Sequence, residues 1–184
     1  LAYTEDNDKE ALPWALKAAE AGHLWGWHIV GDIYWNGRAV ERNLPYVIEC
    51  YKKTASYGND SYACRQLGRM YFNGWGTTVD YAQAIQWLER DKEPEYFKYD
   101  LLGICYLLGH GCRQEPARGK ALLERSEKSC YKSYGLGMMY AEGIGVREDI
   151  EKGVEYLKAA GNYEPAMEAL KHYRKSLFGV WRRK

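Results

Sequence analysis

Leu67-Gly68-Arg69-Met70-Tyr71-Phe72-Asn73-Gly74 is one of four stretches of this chain that align without gaps. The others are Val30-Gly31-Asp32-Ile33-Tyr34-Trp35-Asn36-Gly37, Leu102-Gly103-Ile104-Cys105-Tyr106-Leu107-Leu108-Gly109 and Leu136-Gly137-Met138-Met139-Tyr140-Ala141-Glu142-Gly143. Tyr34, Tyr71, Tyr106 and Tyr140 are therefore separated by 37, 35 and 34 residues. Three copies continue as Gly-x-Gly (Gly74-Trp75-Gly76, Gly109-His110-Gly111, Gly143-Ile144-Gly145), whereas the first reads Gly37-Arg38-Ala39. Eleven of the nineteen glycines sit at these positions, so glycine here serves an internal repeat rather than loops in general.

Each repeat reads as two helices. The apolar residue, the glycine (Gly31, Gly68, Gly103, Gly137) and the tyrosine recur at i, i+1 and i+4, which is one helical stripe. A glycine inside a helix costs about 1 kcal/mol against Ala, so its recurrence implies a neighbouring helix too close for a Cβ. The Gly-x-Gly that follows tolerates positive φ and ends the first helix, helix A. Helix B then starts at an N-capping residue, Asn43, Asp80 or Asp149, or in the third repeat at Pro116. Ile85-Gln86-Trp87-Leu88, Ala121-Leu122-Leu123 and Val154-Glu155-Tyr156-Leu157 give helix B its own stripe. Residues 9–22 match the end of a helix B, so a half-unit leads the array. Units then span 24–58, 60–92, 95–128 and 130–162, and a capping helix is expected over 164–178, all within a single repeat domain covering 1–184.

The chain has 184 residues, 46% hydrophobic, 28% charged and 15% aromatic, with a formal charge of +1. This composition excludes a disordered chain, and no apolar run reaches the ~18 residues of a membrane span. Near-neutral charge argues against a general nucleic-acid binder. Residue 1 is Leu, so the expectation is a segment of a longer gene product. Cys50, Cys64, Cys105, Cys112 and Cys130 form an odd set without a CxxC pair, so a dense disulfide framework is not expected. The expected state is five free thiols in the cytoplasm; the alternative is an exported or periplasmic protein with its signal peptide removed, in which Cys105 and Cys112 pair.

The pattern Leu-Gly-x-x-Tyr-x-x-Gly-x-Gly, an Asp some four residues later, and a helix ending in Lys-Ala-Ala resembles the Sel1-like repeat, a sub-class of the tetratricopeptide-type helical repeats. The resemblance runs from about Lys9 to Tyr163. Ala39 departs from the turn pattern, and Gly119 and Gly153 stand where helix B usually carries a small Ala. The resemblance implies an all-α, right-handed α–α superhelix of four helix pairs that binds proteins or peptides on its concave face. It implies no chemistry, no cofactor and no metal.

The residues themselves agree. There is no HExxH, no Walker A loop and no Gly-x-Ser-x-Gly elbow. His23, His28, His110 and His172 are scattered, without metal-ligand spacing. Ser129-Cys130-Tyr131-Lys132 matches S-x-x-K, the one feature that supports an alternative reading as a penicillin-interacting or other hydrolase. A chain with six serines and fourteen lysines produces such a match by chance, and the accompanying S-D-N and K-T-G elements are absent.

The expected function is a non-enzymatic adaptor for a protein or peptide. With the repeat glycine as reference, positions −6, −3, +1, +4 and +5 are expected on the concave side. These are Trp25, His28, Asp32, Trp35 and Asn36 in the first repeat, and Tyr62, Arg65, Arg69, Phe72 and Asn73 in the second. The third supplies Phe97, Asp100, Ile104, Leu107 and Leu108, the fourth Tyr131, Tyr134, Met138, Ala141 and Glu142. Arg65, Arg69 and Asn73 fall at i, i+4 and i+8, a donor row suited to a carboxylate, with an internal ion pair as the alternative. Aromatic residues and arginine are the types enriched at binding hot spots.

Lys171, Arg174, Lys175, Arg182, Arg183 and Lys184 make the end of the chain basic, while Glu5, Asp6, Asp8 and Glu10 make its start acidic. Weak head-to-tail self-association, or contact of the basic tail and its Leu177, Phe178 and Trp181 with an anionic membrane surface, is the second alternative.

Overall fold

The computed structural model describes residues 5–57, 60–93, 96–176 and 179–184, except for the side chains of 5, 6, 24, 96 and 97. Among them are ten helices: α1 Glu5–Glu20, α2 Leu24–Asn36, α3 Leu44–Ser56, α4 Ser61–Asn73, α5 Tyr81–Arg90, α6 Tyr96–Leu108, α7 Pro116–Arg125, α8 Cys130–Ala141, α9 Ile150–Ala159 and α10 Glu164–Leu170. Two short strands follow, β1 Tyr173–Lys175 and β2 Trp181–Arg183. The chain packs as two compact units, Leu1–Glu93 and Pro94–Lys184. The first holds the lone α1 and the pairs α2/α3 and α4/α5. The second holds α6/α7, α8/α9, α10 and the strands. This is an all-α helical repeat with almost no sheet, and no described helix is long and apolar enough to cross a membrane.

The turn between A and B is built the same way four times. Gly37, Gly74, Gly109 and Gly143 take φ between 66° and 73°, a left-handed conformation that Gly adopts without a Cβ penalty. The carbonyl of each repeat tyrosine then accepts from the residue before helix B: Tyr34 from Asn43, Tyr71 from Asp80, Tyr106 from Glu115 and Tyr140 from Asp149. Asn43, Asp80 and Asp149 cap helix B by accepting from the backbone N–H three residues on, and Pro116 occupies the first turn of α7. The sequence placed these caps correctly.

The mid-helix glycine meets one bulky residue of its own helix B, twenty positions later. A Cβ on Gly68 would lie 2.5 Å from Leu88 Cγ, on Gly103 2.8 Å from Leu123 Cγ, and on Gly137 2.7 Å from Leu157 Cγ. All three leucines are fully buried, so the close approach is the centre of each repeat. In the first repeat the partner is a tyrosine, and a Cβ on Gly31 would lie 2.9 Å from Tyr51 Cε1.

The expected capping helix over 164–178 is corrected. Helix α10 stops after Leu170, and an antiparallel hairpin replaces the rest, pairing Tyr173 with Arg183, Arg174 with Arg182 and Lys175 with Trp181. Gly179, at φ 82°, donates its N–H to the Ser176 carbonyl and closes the turn. Tertiary contacts override the helical reading. Tyr173 is buried and donates its hydroxyl to Glu142, while Arg183 bonds to the Ala141 carbonyl, Glu142 and Glu148. Together with Trp181, the hairpin covers the α8/α9 core of Ala141, Val154 and Leu157.

Candidate functional site

Only some of the positions expected on the open face of helix A are there. The −3 and +4 residues are the i−3 and i+4 neighbours of the repeat glycine, so they share the stripe that packs on helix B. The second, third and fourth repeats bear this out, whereas His28 and Trp35 of the first line an open pocket. Arg65 pairs through Nε with the Asp91 carboxylate at 3.2 Å, beyond the end of α5. Asp100 accepts from Ser126, the equivalent residue after α7. Phe72 is 4% exposed with its ring edge-on to Tyr81, and Leu107 and Ala141 are fully buried against Gly119 and Gly153. Phe72 is therefore a core residue and Arg65 half of an internal ion pair. Asn73 donates its amide back to the Arg69 carbonyl. The expected row of three donors is bonded within the protein, Arg69 donating to Gln66.

The +1 and −6 positions line the seam between successive A helices. In the second unit this seam is apolar: Ile104 is fully buried and lies against Gly135 of α8. In the fourth repeat Tyr131 and Tyr134 pack on Tyr163, at the start of α10. The side chain of Phe97 lies outside the described residues. In the first unit the same seam is polar and open, a pocket of about 450 Å³ lined by His28, Asp32, Trp35, Asn36, Arg38, Tyr51, Tyr62, Gln66 and Arg69. Six of these residues were expected from the repeat register; Arg38, Tyr51 and Gln66 were not.

Asp32 organises the pocket. Its carboxylate accepts from Tyr51 Oη at 2.6 Å and from Tyr62 Oη at 3.3 Å, and lies 3.4 Å from His28 Nε2. Burial pushes the hydroxyls of Tyr51 and Tyr62 up, and the charge of Asp32 adds to it, so both stay protonated donors. The Tyr62 ring stacks on His28 at 4.5 Å, and exposed Trp25 lies 5.2 Å from the same imidazole. Across the cavity Arg69 donates to Gln66 and lies over the ring of Trp75, which meets Trp35 edge-on at 5.5 Å. Arg38 is held by Asp8 of α1 at 3.3 Å. The result is a carboxylate engaged by its own hydroxyls, aromatic walls, and guanidinium and amide groups facing the same space.

The Ser129–Lys132 pair is part of the scaffold. Ser129 caps α8 by accepting from the Lys132 N–H and donates its hydroxyl to Asp100 at 2.5 Å. Lys132 Nζ donates to the Ser126 carbonyl at 2.6 Å. Burial pushes the Asp100 carboxyl up, against the pull of both serines and of Lys132. Among the described residues, no three His, Cys, Asp or Glu side chains are grouped to hold a metal ion. None of the five cysteines is in a disulfide, and Cys112 Sγ donates to the Cys105 carbonyl.

The Sel1 repeat pattern matches residues 3–23, 28–59, 61–90, 100–128 and 133–162. Among curated proteins, the chain is similar to a Sel1-repeat-containing protein, YjcO, of Escherichia coli (strain K12), with 24% identity over 164 residues, 85% of this chain and 69% of that protein. Among solved structures it is similar to a protective antigen present in uropathogenic Escherichia coli strains displaying an SLR fold, with a TM-score of 0.62 and 26% identity over 83% of this chain. The chain spans about one third (33%) of that antigen's length. A Sel1 repeat protein from Oxalobacter formigenes aligns with a TM-score of 0.58 and 29% identity, covering 89% of this chain and 68% of the other. Repeats of this kind typically mediate protein interaction and serve as non-catalytic scaffolds.

Proposed function

Because the chain belongs to the Sel1 repeat family, we propose that it is a non-catalytic adaptor whose partner segment lies along α2 and α4 and is anchored in the pocket at Asp32, Tyr51, Tyr62 and Arg69. One observation carries this reading. At the positions where the third repeat places Ile104 and Leu123, the first places Asp32 and Tyr51. The chain thus contains its own control: apolar residues there close the seam, and this repeat keeps it open. Stability alone favours the apolar pair, since burying polar groups gains little net free energy even when they are bonded.

The anchored group is a carboxylate, from a chain terminus or an acidic side chain. Asp32 is engaged by two hydroxyls and His28, and the guanidinium groups of Arg69, bonded to Gln66, and of Arg38, held by Asp8, line the same cavity and bring positive charge to it. Trp35, Tyr62 and Trp25 supply flat apolar surface for the neighbouring residues of the partner. A peptide library panned against the folded chain, followed by anisotropy on the selected peptides, tests this. The Arg69→Ala variant should lose about 2–5 kcal/mol of affinity if the ion pair is desolvated, and less than about 1 kcal/mol if it stays at the rim. The wild type's affinity should fall with salt more steeply than the variant's. Unaltered affinity together with an unaltered salt slope refutes the carboxylate assignment.

A further inference from the structure

We propose that the C-terminal hairpin is a docking element for an anionic lipid surface. Its two faces are chemically opposite. Tyr173, Arg183 and Trp181 point toward α8 and α9, where Glu142 and Glu148 hold Arg183 and Lys158 covers the Trp181 ring at 4.4 Å. The outward face carries Arg174 directly opposite Arg182. Beside them, Lys184 donates its N–H to the His172 carbonyl, which adds Lys184 as a third cation on that face, opposite His172. All four side chains are exposed, and none has an acidic partner among the described residues.

Like charges set directly opposite on one face of a strand pair oppose pairing, and an isolated two-stranded hairpin is marginal to begin with. The inward clamp holds this hairpin together in spite of its outer face. That outer face is therefore a concentrated, uncompensated cationic surface, with Val180, 46% exposed, at its tip.

Three occupants compete. A second copy of the chain would have to offer the acidic start, whose described side chains are Asp8, 4% exposed and paired with Arg38, and exposed Glu10, so a single acid faces four outward groups of the hairpin. A single-stranded nucleic acid gains affinity by stacking on exposed rings, and the one described ring of the hairpin's second strand, Trp181, is half-buried beneath Lys158. A lipid bilayer needs neither a groove nor a stacking ring. It takes clustered cations at the headgroups and an apolar tip beneath them, and each basic residue near an anionic surface is worth about fivefold in partitioning.

The test is sedimentation of the full chain with vesicles of phosphatidylcholine alone and with one quarter phosphatidylglycerol. Binding is expected only to the anionic vesicles, and should weaken between 50 and 300 mM salt, roughly as screening predicts. The Arg174→Glu/Arg182→Glu variant should lose at least tenfold, as should Val180→Asp. Lys128→Glu/Arg147→Glu, with the same change in net charge, should bind like the wild type. Circular dichroism confirms that each variant keeps its helicity. No partitioning of the wild type, or equal loss in the Lys128/Arg147 control, overturns the proposal. So does binding to polyglutamate or an oligonucleotide at the same strength with Val180→Asp unaffected, which would identify a soluble polyanion instead.

Discussion

Gly68→Ala tests the contact on which every repeat is built. The new Cβ would lie 2.5 Å from Leu88 Cγ, 2.6 Å from its Cδ2 and 3.3 Å from the Ala84 carbonyl oxygen. Carbon atoms rest near 3.5–4.0 Å, so the leucine or helix α5 must retreat by about 1 Å. Leu88 is fully buried, so its retreat has to displace other core side chains. Overpacking of this kind costs about 1–3 kcal/mol. Replacing a helical Gly returns about 1 kcal/mol of propensity, so the net effect should be a loss of up to about 2 kcal/mol. Urea unfolding followed at 222 nm measures it, and a double-mutant cycle with Leu88→Ala isolates the clash. Leu88→Ala alone should cost about 2–5 kcal/mol, and in that background Gly68→Ala should be neutral or stabilising. If Gly68→Ala raises the midpoint, or costs the same in both backgrounds, the glycine is not there to let the helices approach.

Other consequences are simpler to read. Burial pushes the Cys105 thiol up to about 12 and Cys50 up to about 11, and raises Cys64; a thiol reagent at neutral pH should titrate exposed Cys130 rapidly, Cys112 slowly, and these three only after denaturation. Three or more rapid thiols would contradict the packing of α3, α4 and α6. The Asp100 carboxyl is held above its ordinary range, so the folded state binds that proton more tightly than the unfolded chain. Stability from this group is therefore present at low pH and lost as pH rises from the unfolded value near ~4 through the raised folded one. The difference in melting temperature between wild type and Asp100→Asn should shift in favour of the wild type on acidification across that window; a pH-independent difference would refute it.

The fold was legible because its determinants are local and repeated. Turn glycines, the capping residues Asn43, Asp80 and Asp149, and the i, i+1, i+4 stripe each act within one repeat, and four copies in register remove ambiguity. The hairpin escaped because its cause is tertiary: nothing near Tyr173 in the chain announces Glu142 or Glu148 as its clamp. The face of helix A was half legible. Asp32, Tyr62 and Arg69 line the pocket, but Arg65, Phe72 and Asp100 follow the stripe of the glycine and turn to helix B, which the spacing alone already implied. Tyr51 was missed because it belongs to helix B, yet a signal existed. It stands alone as a tyrosine where Leu88, Leu123 and Leu157 repeat.

That exception supplies the most direct test of the account. Asp32→Ile/Tyr51→Leu gives the first repeat the pair that the third carries, so the chain should keep its helicity and remain at least as stable as the wild type. A peptide selected on the wild type should then lose its measurable affinity, because the seam between α2 and α4 has closed. Retained affinity in a folded Asp32→Ile/Tyr51→Leu protein would show that the pocket is not where the partner is held.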